Sequence, residues 1–190
     1  MADDSHLIEQ LVSREELLEG RFLHVVRDTV RLPDGQTASR EYVRHPGAVM
    51  VVPILDDGRL VLERQYRHPM GRVMIEFPAG KIDPGEDRLA CAKRELMEET
   101  GYVAAQWAHA GPLHNAIAYS DEFIDVWFAR SLSQTGRQLD HGEFLDVIEA
   151  SPAELLAWCR DGTVTDAKTL VGALWLQNIL AGAWTLDWRG

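Results

Sequence analysis

Cysteine is nearly absent: the 190-residue chain has two, Cys91 and Cys159. They show no paired spacing and no nearby histidine. That excludes a disulfide framework and a cysteine-based metal finger, and leaves free thiols of a reducing compartment. Long apolar runs are also missing, none approaching the ~20 residues that a membrane-spanning helix needs. The first residues, MADDSHLIEQ, are polar and acidic and do not read as a signal peptide. The expectation is a cytoplasmic protein with no membrane partner. Positive charge is short as well, with 19 Lys and Arg against 30 Asp and Glu, a formal net charge of -11. Such a surface disfavours nucleic acid, whose binding depends on basic groups neutralising phosphates. An anionic small molecule can be handled only where bound cations or a local arginine cluster supply the missing charge. No internal repeat or low-complexity segment occurs.

What is present is an ordinary globular composition, 46% hydrophobic and 26% charged, in a length suited to one domain with a small appendage. Residues 1–20 are charged and weakly patterned, and carry no firm expectation of ordered structure. Two β-rich runs, FLHVVRDTVRL and TASREYV, then flank Pro33-Asp34-Gly35, and the Asp-Gly turn reads as a β-hairpin. Its edges need a partner, either the main sheet or a second subunit. Residues 48–55 (AVMVVPIL) are apolar on both faces, the mark of a central strand in a covered sheet. Further strands are expected at 59–66, 73–77, 107–113, 123–130 and 144–150. Ser151-Pro152-Ala153-Glu154 is a capping box with proline at the first helical position, opening a helix that stops near Gly162. A last helix over 166–180 is apolar around most of its circumference and packs on the core. The class is α+β, with an arm at residues 1–45 and the main domain at 46–190.

The chemistry concentrates in residues 80–102, GKIDPGEDRLACAKRELMEETGY. Asp87 can cap a helix that buries Leu89, Ala92 and Leu96 and ends at Gly101; Asp83-Pro84-Gly85-Glu86 offers a rival start one turn earlier. Glu95, Glu98 and Glu99 fall at i, i+3 and i+4, so their carboxylates converge on one face. Like charges at these spacings repel, and they occupy the last turn, where the helix dipole prefers cations. A divalent cation removes the conflict, and hard oxygen donors suit Mg²⁺ or Mn²⁺. Arg94 can reach Glu86 or Glu98 and hold them in orientation. The bland alternative is a solvated acidic helix end.

The complete spacing decides between them. The segment fits G-x5-E-x7-R-E-U-x-E-E-x-G-U, U being apolar, with Gly80, Glu86, Arg94, Glu95, Leu96, Glu98, Glu99, Gly101 and Tyr102 in place. Seven fixed identities at ~6% usage each coincide by chance on the order of once in 10⁹ starting positions. The segment resembles the signature of the Nudix hydrolase family. That resemblance implies an α/β/α sandwich with a mixed β-sheet, preceded here by the β-hairpin arm. It also implies hydrolysis of a nucleoside diphosphate linked to another moiety. By the same resemblance Glu95 and Glu99 are the principal metal ligands, Glu98 the next, and the backbone carbonyl of Ala79 joins them, with Arg94 and Glu98 in the catalytic set.

Outside the box, Arg64-Gln65-Tyr66-Arg67-His68-Pro69, Glu76-Phe77-Pro78-Ala79-Gly80 and Tyr119-Ser120-Asp121-Glu122 resemble the ADP-ribose pyrophosphatase branch. The branch implies that Arg67 contacts substrate phosphates and that Glu76, Ser120 and Glu122 lie in the substrate pocket. It implies that Arg40 reaches from the arm into the partner site of a homodimer. Arg67 and Arg40, with Lys81 near in sequence, would supply the positive charge that a -11 chain needs. One departure is Ile117, which stands where ADP-ribose hydrolases often carry proline. For the general base the branch points to the loop Asp140-His141-Gly142-Glu143, with Glu143 first and His141 and Asp140 next. The expected reaction is Mg²⁺-dependent cleavage of ADP-ribose, or a related nucleoside diphosphate sugar, to AMP and ribose 5-phosphate. Alternatives are another nucleoside diphosphate derivative or dinucleotide as substrate, and a non-catalytic ADP-ribose-binding sensor that regulates a partner. The intact glutamates argue against the sensor.

Overall fold

The structure, a computed structural model, describes residues 3–139 and 141–190. It divides into two compact units, one made of the chain up to Pro46 together with Ala116–Glu122, the other of Gly47–Asn115 and Phe123–Gly190.

The first unit is an antiparallel three-stranded sheet in the order β1 (Gln10–Glu19), β2 (His24–Arg31), β3 (Thr37–Arg44). The expected hairpin is β2–β3, turning through Pro33-Asp34-Gly35, where Gly35 adopts φ +87°. Its open edge on the β2 side is covered within the chain by β1, in a stretch with no expected strand. All ten residues of β1 are exposed, so backbone pairing and the Arg14 bonds to Asp28 and Tyr42 hold it as a strand and no buried apolar alternation announces it. Residues Ala116–Glu122 return to the end of β3: Val43 bridges Ser120 in parallel, and the His45 amide donates to Asp121 Oδ1 at 2.7 Å.

The second unit is built on a mixed sheet with strand order β10 (Leu145–Ala150), β5 (Leu60–Arg67), β4 (Ala48–Ile54), β9 (Ile124–Gln134), β8 (Tyr102–Leu113). In addition β6 (Arg72–Glu76) pairs β5 and β7 (Ala79–Lys81) pairs β4. The apolar run is the middle strand β4, parallel to β9. Its residues alternate between two cores, as a strand buried on both faces must. Val49 and Val51 join Cys91, Ala92 and Leu96 of the box helix on one side. Met50 and Val52 join Leu155, Ala173 and Leu176 on the other, from α2 (Pro152–Asp161) and α3 (Ala167–Leu180). Helices on both faces of a mixed sheet give the α/β/α sandwich. Each fully buried Leu or Val contributes roughly 1.5–3 kcal/mol, which fixes the sheet rigidly beneath the helix that carries the glutamates.

The capping box is formed: Glu154 N–H donates to Ser151 Oγ at 3.2 Å and Ser151 N–H to Glu154 Oε2 at 2.8 Å, with Gly162 closing the helix at φ +84°. Both cysteines are free, and burial pushes the Cys91 thiol up to about 12, so it is inert. No helix among the described residues is long and apolar enough to cross a membrane.

Candidate active site

Asp87 caps α1 (Arg88–Glu95), its carboxylate accepting from the amides of Leu89 and Ala90, and the rival start at Asp83 is not used. The expected single α-helix changes character after Glu95: Leu96–Thr100 form a π-helical turn closed by Gly101 at φ +75°. The wider turn separates the three glutamates instead of stacking them on one strip. Glu95 and Glu99 turn inward and are buried, while Glu98 is half-buried. Insertions of this kind concentrate at functional sites, where they re-aim side chains.

Arg94 is the organiser of the outer part of this cluster. It gives Nε and Nη2 to the two oxygens of Glu86 at 2.8 and 2.9 Å, and Nη1 to Glu95 Oε1 at 2.8 Å and Glu98 Oε2 at 3.0 Å. It therefore reaches Glu95 as well as the two partners expected from helix geometry. The arginine hydrogen bonds hold the Glu86 carboxyl at about 2. Glu95 moves the other way, to about 7, because burial outweighs Arg94 and because Glu98 and Glu143 add negative potential. Glu99 lies deeper. Its Oε2 accepts from the Ala79 amide at 3.0 Å, and burial, Glu63, Glu95 and Glu143 all push its carboxyl up.

β7 runs antiparallel to β4, Gly80 lying opposite Val49. A Cβ on Gly80 would stand 1.9 Å from the Glu95 carboxyl carbon. Glycine here makes room for the carboxylate, which any larger residue would displace. Among the described residues no three His, Cys, Asp or Glu side chains already converge as a finished ligand set, and Arg94 engages Glu95 and Glu98. The donor chemistry nevertheless fits a hard divalent cation: several carboxylates, two of them buried against mutual repulsion, with a glycine clearing the approach to one.

A second cluster forms around Glu76 at the end of β6. Arg67 holds it with two hydrogen bonds, Nε to Oε1 at 2.7 Å and Nη2 to Oε2 at 2.9 Å. Lys168 of α3, itself buried, pairs with Glu76 and, at 2.9 Å, with Asp166. Burial alone would raise Glu76, but the Arg67 bonds and the Lys168 charge outweigh it and hold the carboxyl at about 2. Sequence reasoning named Arg67 and Glu76 but missed Lys168 and Glu63. Lys168 was signalled by a lone cation opening an otherwise apolar helix.

Of the remaining expected residues, Arg40, Ser120 and Glu122 fall in the first unit, and Lys81, His141 and Glu143 in the second. Arg40 pairs with Glu9, and its side lines a cavity with Tyr42, Ile117, Tyr119 and Ser120. Ser120 Oγ accepts from the Glu122 amide at 3.1 Å, and Glu122 stands 3.4 Å from His45 Nδ1. Lys81 is exposed on β7. Glu143 is half-buried before β10, near enough for its charge to be felt at both Glu95 and Glu99; His141 is exposed, and Asp140 lies outside the described residues.

The "NUDIX domain" family matches residues 44–170, and the "Nucleoside diphosphate sugar hydrolase N-terminal domain" family matches residues 9–43. The chain belongs to the Nudix hydrolase family. It is 38% identical to a protein named methanol dehydrogenase activator from Bacillus methanolicus, over 89% of this chain and 92% of the relative. It is 35% identical to ADP-ribose pyrophosphatases of Bacillus subtilis (90% of this chain, 94% of the relative) and Mycobacterium tuberculosis (91% and 85%). A crystal structure titled ADP compounds hydrolase superposes with TM-score 0.83 at 26% identity, covering 92% of this chain and 95% of that one.

Proposed function

We propose that the protein hydrolyses the pyrophosphate bond of ADP-ribose or a closely related nucleoside diphosphate sugar, giving AMP and ribose 5-phosphate, with Mg²⁺ as the cofactor and Mn²⁺ able to replace it. The observation that carries this is the complete box, folded as a carboxylate cluster, in a chain about as similar to two proteins named ADP-ribose pyrophosphatase as 35% identity over nine-tenths of its length allows. Glu95, Glu98, Glu99 and the Ala79 carbonyl would hold the cation. When bound, it supplies charge neutralisation on the pyrophosphate oxygens and makes water easier to deprotonate.

The chain's own groups do the rest. Arg94 orients Glu86, Glu95 and Glu98 through four hydrogen bonds, a positioning role. Glu143 is our choice of general base, supported by its negative potential at Glu95 and Glu99. Arg67 presents a guanidinium, 43% exposed while its Glu76 partner is buried, and so has donors left for phosphate oxygens. Arg40, Ser120 and Glu122 we assign to the substrate side. Residues 1–45 are read as a dimerisation arm on residues 46–190, supported by the exposed Leu11, Val12, Leu18 and Phe22, with Arg40 serving the partner subunit's site. A monomer on gel filtration at micromolar concentration removes that role from Arg40.

The direct test is product analysis against a panel of nucleoside diphosphate derivatives with Mg²⁺ or Mn²⁺. Release of AMP and ribose 5-phosphate from ADP-ribose is expected; no turnover of any panel member sinks the proposal. One observation favours a second reading, regulation of a partner enzyme: the relative at 38% identity is named an activator of a dehydrogenase.

A further inference from the structure

Strand β5 carries four consecutive buried residues and the fourth is an acid, Glu63. Leu60 and Leu62 belong to the core on the α2–α3 side and Val61 to the core under α1. Alternation therefore puts Glu63 on the α1 side, where its carboxyl is within hydrogen-bond reach of Glu99. Glu63 is only 3% exposed. Its Oε1 is the only buried side-chain nitrogen or oxygen among the described residues with no hydrogen-bond partner. The cations whose charge reaches it, Lys168 and Arg67, are both committed to Glu76.

An acid buried in this way is costly unless something compensates it. If its task were only to share a hydrogen bond with Glu99, a glutamine amide would do the same without an acid to bury. A free carboxylate oxygen beside Glu99 has a further use as an oxygen donor to a hard cation. We propose that Glu63 supplies a carboxylate oxygen to the divalent-cation site of Glu95, Glu98 and Glu99, so that the site is built by strand β5 as well as by the box helix. This deepens the proposed function and rests on its metal-dependent reading.

The test is Mn²⁺ binding by the full chain, followed by electron paramagnetic resonance of free Mn²⁺, with Glu63→Gln and Glu99→Gln titrated beside the unsubstituted protein. Both substitutions are expected to weaken Mn²⁺ binding at least about tenfold, the scale of lost groups that hold or orient a metal, with circular dichroism unchanged. Normal Mn²⁺ affinity in Glu63→Gln alongside weakened binding in Glu99→Gln overturns the role of Glu63 and leaves the metal-dependent reading standing. Normal affinity in both overturns the two together. Should Glu63→Gln not fold, Glu63→Met, of similar length and fully apolar, is read by the same titration. Melting in chelator gives a second readout: loss of an uncompensated buried acid keeps or raises the melting temperature. A lower melting temperature with unchanged Mn²⁺ affinity assigns Glu63 to structure alone and overturns the proposal.

Discussion

Two buried carboxylate centres lie in the sheet-and-helix unit, and they differ in what surrounds them. Glu76 is 4% exposed and Glu99 is 5% exposed, so water screens neither. Glu76 has Arg67 and Lys168 on its oxygens and is held at about 2. Glu99 has a backbone amide on one side and Glu63 and Glu95 as like-charged neighbours, and is pushed up. Burial is the same; the sign of the neighbours decides. The Glu76 centre is a completed ion-pair network, in which each charge already has its counter-charge. The Glu99 centre is a set of oxygen donors in which the cation of the box, Arg94, reaches Glu95 but forms no ion pair with Glu99, an arrangement that suits a metal-dependent site and that a site built for stability avoids.

This contrast predicts that the two centres break in different ways. Glu99→Gln is expected to remove metal-dependent hydrolysis altogether while circular dichroism and melting temperature stay at or above those of the unsubstituted protein. Retention of most turnover in Mg²⁺ takes Glu99 out of the mechanism. Glu143→Gln belongs to the same centre and should lower kcat by ~10²-fold, the usual scale of general-base catalysis, with little change in stability. An unchanged kcat transfers the role to another carboxylate. Lys168→Met strikes the other centre, and there stability is the quantity that moves. Arg67 still holds Glu76, so the loss is that of one charge-assisted hydrogen-bonding partner, about 1.5–3 kcal/mol by urea denaturation. A loss below ~0.5 kcal/mol would show that Arg67 alone satisfies the acid.

The sequence made one of these centres far more legible than the other. Spacing alone carried the box, because Arg94, Glu95, Glu98 and Glu99 stand at fixed intervals along one helical segment and Glu86 lies in the turn just before its cap. The three-layer order was legible in β4, whose continuous apolar run announces cover on both faces. What escaped was everything set by tertiary contact. Glu63 lies in the expected strand at 59–66, but nothing local marks its burial, which comes when β10 and β6 close on either side and pair it with Val147 and Glu76. Lys168 stands out as a lone cation in the first turn of α3, but its partner Glu76 on β6 is supplied only by the fold. The π-helical turn has no composition of its own, and β1 has no buried residue to pattern. Local spacing is written in the sequence; the neighbours that make a buried charge stable or strained come from distant strands.

The last effect expected of the comparison is a pH dependence at the compensated centre. Glu76 titrates at about 2 in the folded protein against 4.5 for a free glutamate, so the folded state favours its ionised form more than the unfolded chain does. A depressed value of this kind adds stability that is fully present above 4.5 and is lost as pH falls toward about 2. The difference in unfolding free energy between the unsubstituted protein and Glu76→Gln should therefore be greatest near neutrality and shrink steadily as pH falls through that window. Urea denaturation of both proteins at several pH values between neutrality and the acid limit measures it. A difference that stays constant with pH would mean that Arg67 and Lys168 stabilise Glu76 no better than a neutral amide, and the compensated centre would lose the property that sets it apart from Glu99.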